Sequence, residues 1–143
     1  MDNQLRDQLT SATKDFFHLL EEVDIEKWID LWAEDGIDKK PYATGMFPEV
    51  IVGKNNIYDV WKGITKVFDS IRFPIHEFIV DVEKRTVVVR SDGKGLMKNG
   101  NLYQNTYIFL FHFDQNNKIN ECYEYFNPFV AGKNFGVLDK LKY

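Results

Sequence analysis

Residues 119–135 read I-N-E-C-Y-E-Y-F-N-P-F-V-A-G-K-N-F, a run that opens as a strand dense in aromatic side chains. Strand side chains alternate faces, so Cys122, Glu124 and Phe126 share one face while Tyr123 and Tyr125 share the other. A carboxylate among apolar groups in a strand is costly unless it is partnered or has a chemical task. Asn127-Pro128 closes the strand, because proline cannot continue a central ladder and restricts the residue before it. Glu124 is therefore the first functional lead.

Working back from this strand, residues 103–113 form a long strand with apolar side chains on both faces, joined to it by the turn at 114–118. Lys98-Asn99-Gly100-Asn101 is a strong turn, and residues 86–91 (T-V-V-V-R-S) are β-branched. Asp92-Gly93 reads as a bulge or bend, since Leu96 and Met97 follow it. Residues 73–82 form another strand, broken by Pro74 and so suited to an edge or a strand start.

The first half is helical. Leu5, Leu9, Ala12, Phe16, Leu19 and Val23 recur at three- and four-residue steps, predicting an amphipathic helix over residues 3–22. Asp24 is the expected N-cap of a second helix with Ile25, Trp28, Leu31 and Trp32 on its apolar face and Gly36 as its stop. Residues 37–53 lack a sustained period and read as a partly ordered segment with a short strand near 49–52. Asn55 or Asn56 is expected to cap a third helix, with Ile57, Val60, Trp61, Ile64 and Val67 or Phe68 facing the core. Three helices followed by four strands is an α+β order. Helices cover one sheet face only. The other carries Tyr123, Tyr125 and either Phe109/Phe111/Phe113 or Ile108/Leu110, so a homodimer is the economical cover.

At 143 residues the chain is expected to be one domain, 1–143, large enough to bury a real core. A 15% aromatic share fits either an aromatic-lined cavity or a bulky core with an oligomer interface. A net charge of −4 with no basic run gives no support to nucleic-acid binding. One cysteine excludes an internal disulfide and suits a reducing compartment. The N-terminus is polar and no apolar run reaches the roughly 18 residues of a membrane span. The expectation is a cytoplasmic protein with no membrane partner.

The order of Leu31-Trp32-Ala33-Glu34-Asp35-Gly36, Ser91-Asp92-Gly93-Lys94-Gly95, Gln104-Asn105 and Tyr123-Glu124-Tyr125-Phe126-Asn127 resembles the nuclear transport factor 2-like (cystatin-like) superfamily. Within it the chain is most similar to the SnoaL-like group, which includes polyketide cyclases, and to the phenazine-biosynthesis A/B proteins. The resemblance implies a cone of curved mixed or antiparallel sheet wrapped on the N-terminal helices and enclosing a pocket. It also implies that Glu124, in the acid-aromatic-hydrophobic-Asn motif, is the pocket acid/base. A family histidine of the third helix falls at or beside Tyr58, and a family arginine near Lys27 or Trp28, so both are replaced here.

Burial among aromatics would raise the Glu124 pKa and suit it to proton transfer; a structural partner is the alternative. His76 and Asn105 complete the expected catalytic set, with Asn105, Tyr58 or His76 holding a developing oxyanion. For His76 a packed or solvent-edge place is the alternative, and for Asn105 a ladder-end cap. Asp92 is a second candidate acid, or simply a turn residue. Tyr42, Phe47, Tyr58, Trp61, Phe126 and Phe129 are expected to shape the pocket for a small apolar or aromatic ligand, core packing being the alternative for each. Three dispersed histidines give no metal-ligand spacing, and D-G-K-G lacks a Rossmann or P-loop pattern, so no metal or cofactor is expected. The function expected is an isomerase, cyclase or dehydratase using Glu124 on an apolar cyclic substrate. The alternatives are a non-catalytic ligand-binding protein and a dimeric interaction module of the same fold.

Overall fold

The structure, a computed structural model, describes residues 3–142. Helix α1 (Asn3–Glu21) buries Leu9, Phe16, Phe17 and Leu20, the stripe set by the three- and four-residue spacing. Asp24 caps α2 (Ile25–Trp28) by accepting from Lys27 N at 3.1 Å, as its sequence position predicts.

The second helix does not run to Gly36. After α2 comes a single 3-10 turn (Ile29–Leu31), and the chain then extends as β1 (Trp32–Lys39). Parallel pairing with β7 (Ile119–Phe126) overrides the local helical pattern. Gly36 is not a stop but part of a bulge, where the register slips between Trp32↔Ile119 and Ile37↔Glu121. A Cβ at Gly36 would lie 3.0 Å from both Ala33 O and Trp32 Cε3.

Strand β2 (Val50–Val52) pairs antiparallel with β1, and α3 (Lys54–Thr65) follows with Gly53, not an asparagine, at its N-cap. Asn56 instead donates its side-chain amide back to Val52 O at 2.9 Å. Phe68 does not belong to α3; it opens β3 (Phe68–Arg72). Next come β4 (Ile75–Asp81), β5 (Thr86–Met97), β6 (Leu102–Phe113), β7 and α4 (Pro128–Phe135). Strand order is β2-β1-β7-β6-β5-β3, with β4 also on β5; every pairing is antiparallel except β1–β7. The sheet is mixed, and it curls into the expected α+β cone around the helices.

Asp92-Gly93 neither ends nor bends β5 out of register: pairing with β6 is unbroken from Thr86↔His112 to Leu96↔Leu102. The inner face carries Phe109, Phe111 and Phe113, which leaves Ile108 and Leu110 outside. Phe16 is the centre of the core, with its ring 4.9 Å from Phe111, 5.4 Å from Trp28 and 5.9 Å from Phe109. No described helix is long and apolar enough to cross a membrane.

Candidate active site

The Phe16 core borders a cavity of about 70 Å³, and its ring neighbours Trp61 and Phe109 also line that cavity. The inner faces of β6 and β7 supply Tyr103, Tyr107, Phe109, Glu124 and Phe126, and α3 supplies Trp61 and Ile64. Phe68, Ile71 and Phe73 form the opposite wall, while Lys40, Phe47, Ala131 and Phe135 close the remainder. Pockets for drug-sized ligands run to roughly 300–1,000 Å³, so this cavity suits a compact molecule. Its wall is apolar except for Lys40, Glu124 and two phenolic hydroxyls.

Glu124 is 6% exposed, and its Oε1 has no hydrogen-bond partner among the described residues. Burial raises its pKa to about 7; Lys40 opposes the rise and Asp38 adds to it. Asp38 and Lys40 belong to a second buried cluster beside it. Lys40 Nζ donates to Asp38 Oδ2 at 2.9 Å, and Trp61 Nε1 donates to the same oxygen at 2.8 Å. The ammonium also lies 5.1 Å from the centroid of the Trp61 ring. Burial pulls the Lys40 pKa down, but the carboxylates of Asp38 and Glu124 outweigh it and hold the value above that of an ordinary lysine.

Tyr103, Asn105 and Tyr107 alternate onto the inner face of β6, with the two phenols four positions apart. Asn105 Nδ2 donates to the Tyr103 hydroxyl at 2.8 Å, and the Tyr103 and Tyr107 hydroxyls bond each other. Burial pushes the Tyr103 pKa up to about 12 and that of Tyr107 well above the usual phenol, so both stay protonated donors. If Asn105 donates to Tyr103 and Tyr103 to Tyr107, the last O–H of the chain is left for a ligand.

Asn105 also braces the far end of β7. Its Oδ1 accepts from Asn127 N at 3.0 Å and its Nδ2 donates to Asn127 O at 3.0 Å. Asn127 in turn caps α4 by accepting from Phe129 N at 3.0 Å, with Pro128 following at the first helical position. The capped helix brings Phe135 over the cavity, 5.4 Å from Phe47 and 6.0 Å from Tyr103 between ring centroids.

Of the residues singled out from sequence, the cavity wall includes Glu124, Phe47, Trp61 and Phe126. Asn105 stands behind the wall as a brace. The others lie elsewhere. His76 is turned outward by a register shift between Ile75 and Glu77 and bonds Asp92 at 2.9 Å, so these two form a surface pair rather than pocket groups. Tyr58 bonds Glu26 on the outer side of α3. Tyr42 is 52% exposed and packs on Tyr125, on the outer sheet face. Phe129 is 61% exposed because the Asn127 cap directs it away from the cavity.

Sequence reasoning missed Lys40, Asp38, Tyr103, Tyr107 and Phe135. The period-two spacing of Tyr103, Asn105 and Tyr107 was a usable signal. Asp38 and Lys40 carried none while β1 was read as helix and loop. Among the described residues, no three His, Cys, Asp or Glu side chains converge to hold a metal ion.

The model of the SnoaL-like domain family matches residues 13–122. The chain belongs to that family. A curated relative, the uncharacterised protein YesE of Bacillus subtilis (strain 168), is 28% identical over 122 residues, covering 85% of this chain and 82% of the relative. A solved structure of a candidate isomerase from Bacillus subtilis superposes with a TM-score of 0.82 at 26% identity, covering 93% of this chain and 96% of that one. A phenazine biosynthesis-related protein from Pseudomonas aeruginosa superposes with a TM-score of 0.75 at 19% identity, covering 94% and 84%. That last likeness speaks to the fold alone. The SnoaL-like, nuclear transport factor 2-like cone implied by the Glu124 motif and its companions is thus the fold of this chain.

Proposed function

We propose that this SnoaL-like protein is an enzyme of the isomerase, cyclase or dehydratase type, moving a proton with Glu124 on a compact, apolar, carbonyl-bearing ring. The observation that carries the reading is the Glu124 carboxyl group, enclosed in an aromatic cavity with an unpartnered oxygen and a pKa of about 7. Such a group is available as both base and acid near neutral pH. In the forward step its carboxylate takes a proton from the carbon next to the carbonyl; the C–H electron pair forms a carbon–carbon double bond and the carbonyl π pair moves onto the oxygen. The Tyr107 hydroxyl, backed by Tyr103 and Asn105, donates a hydrogen bond to that oxygen. The carboxylic acid then returns the proton to another carbon, or to a leaving hydroxyl. The candidate isomerase among the structural relatives is in keeping with this class.

A second reading, a non-catalytic ligand-binding protein, is favoured by Tyr58. The position where the resemblance expects a histidine bonds Glu26 outside the cavity, and no second base faces Glu124 from α3. For either ligand reading, the outer sheet face would be covered by a second copy of the chain.

The test pairs a thermal-shift screen of small cyclic ketones, acids and epoxides with proton exchange in deuterated water. Both are run on wild type and Glu124→Gln. Ligands should stabilise both proteins by mass action. Only wild type should exchange the proton beside the carbonyl of a bound ketone. Binding without exchange by wild type would leave the ligand-binding reading in place of the enzyme.

A further inference from the structure

We infer that the buried Asp38–Lys40 pair, at the end of β1 and one residue past it, is a positioning device that sets whether Glu124 carries its charge. The geometry begins with the parallel ladder. Asp38 stands opposite Cys122 and Lys39 opposite Tyr123, so one further step brings Lys40 beside Glu124. Asp38, Lys40, Cys122 and Glu124 all point into the cone, while Lys39 and Tyr123 point out of it.

Within this square of side chains one ammonium serves two carboxyl groups, and it is not shared equally. Asp38 Oδ2 takes the hydrogen bond from Lys40, at 2.9 Å, and another from Trp61, at 2.8 Å. Glu124 receives no hydrogen bond from Lys40; its Oε1 is enclosed and unpartnered. Asp38 thus offsets part of the pull by which the cation favours ionised Glu124. Trp61 holds this arrangement from the far side, because its indole N–H fixes the Asp38 oxygen while its ring faces the Lys40 ammonium at 5.1 Å.

The remaining titratable groups near Glu124 are Cys122 on its own strand and Tyr103 and Tyr107 on β6. Burial raises all three above their ordinary values, which keeps them neutral. The charges that act on Glu124 from inside the cone are therefore those of Asp38 and Lys40, with opposite signs. Removing the Asp38 charge frees the ammonium to bond Glu124 and favours its ionised form. Removing the Lys40 charge leaves two buried carboxyl groups together and favours the protonated form.

This inference builds on the proposed role of Glu124, yet its test needs no substrate. Protein labelled with ¹³C at the glutamate carboxyl is titrated by NMR from about pH 4 to about pH 10, wide enough for a displaced carboxylic acid. The Glu124 signal is the one missing from Glu124→Gln. Relative to wild type, its midpoint should fall by about one pH unit in Asp38→Asn and rise by about one in Lys40→Met, the scale of a neighbouring charge. Should Lys40→Met not fold, the double variant D38N/K40M replaces it, and its midpoint should lie about one unit above that of D38N. Movement of both single variants in the same direction would overturn the inference. So would midpoints within about 0.3 units of wild type, or a double variant that matches D38N, since a charge-independent packing role would give these results. Opposite movements in a protein that shows no ligand proton exchange would uphold the charge-setting pair and reject the proposed enzyme.

Discussion

Gly93 lies directly beneath the ring of Tyr107: a Cβ built at Gly93 would sit 2.5 Å from Tyr107 Cε2. The absence of a side chain in the middle of β5 is what lets a cavity-lining phenol lie flat against the sheet. Gly95 does the same for Phe68, where an added Cβ would meet the ring at 2.7 Å. The two glycines of D-G-K-G are thus contact glycines beneath two walls of the cavity.

Gly93→Ala should therefore act on the site as well as on stability. Tyr107 is packed against Phe73, Phe109 and Phe126, so the added methyl can displace its ring only toward the cavity it lines. Overpacking of this kind costs about 1–3 kcal/mol. A urea denaturation midpoint lowered to match, with loss of thermal stabilisation by any cavity ligand, is the expected result. An unchanged midpoint would mean that the Tyr107 ring is not held against Gly93.

Asn105→Ala should loosen α4 more than the sheet. The substitution removes the partners of Asn127 N and Asn127 O together with the donor to Tyr103. Stranding buried polar groups costs about 1–3 kcal/mol each, reduced where water can enter. In hydrogen exchange, protection of the α4 amides should fall well below that of the β5 and β6 amides. Equal loss in both would show that Asn105 supports the sheet as a whole and not the β7–α4 corner.

The strands from β5 onward were legible because each is a β-branched or aromatic run bounded by turn residues, and period-two alternation placed Glu124 inside and Tyr123 outside. β1 was illegible for a physical reason. Trp28, Leu31 and Trp32 satisfy helical spacing, and only the partner strand β7, about 90 residues later in sequence, makes Trp32–Lys39 extended. Losing β1 meant losing Asp38 and Lys40, the charges beside Glu124. His76 failed through a bulge that reverses side-chain direction, which alternation cannot foresee. Phe129 failed because the Asn127 cap sets the rotation of α4.

The outer sheet face carries a row of Val88, Leu110 and Tyr123, neighbours across β5, β6 and β7 and each only half-buried. A charge in the centre of this row should be tolerated by a monomer and not by a dimer that covers it. Wild type is expected to sediment at twice 16.9 kDa and Leu110→Glu at the single-chain mass. Wild type sedimenting as a monomer at high concentration would remove the second copy from the functional picture.

The folding equilibrium should report the ionisation of Glu124. Its pKa is 4.5 in the reference state and about 7 in the folded protein, raised chiefly by burial. Below the lower value both states are protonated and the group contributes no pH dependence. Between the two, the unfolded chain ionises while the folded protein keeps its proton, so the folded state binds more protons and stability falls as pH rises. Above the upper value both are ionised and the loss is complete, at roughly 3 kcal/mol for this difference in pKa. Glu124→Gln has no such proton to lose. Whatever constant offset its amide introduces, its stability relative to wild type should grow by roughly 3 kcal/mol between about pH 4 and about pH 8. Urea denaturation of the two proteins across that range measures the difference directly. Parallel curves would place Glu124 in water or in a hydrogen bond strong enough to cancel its burial, and would take the poised acid/base out of the cavity.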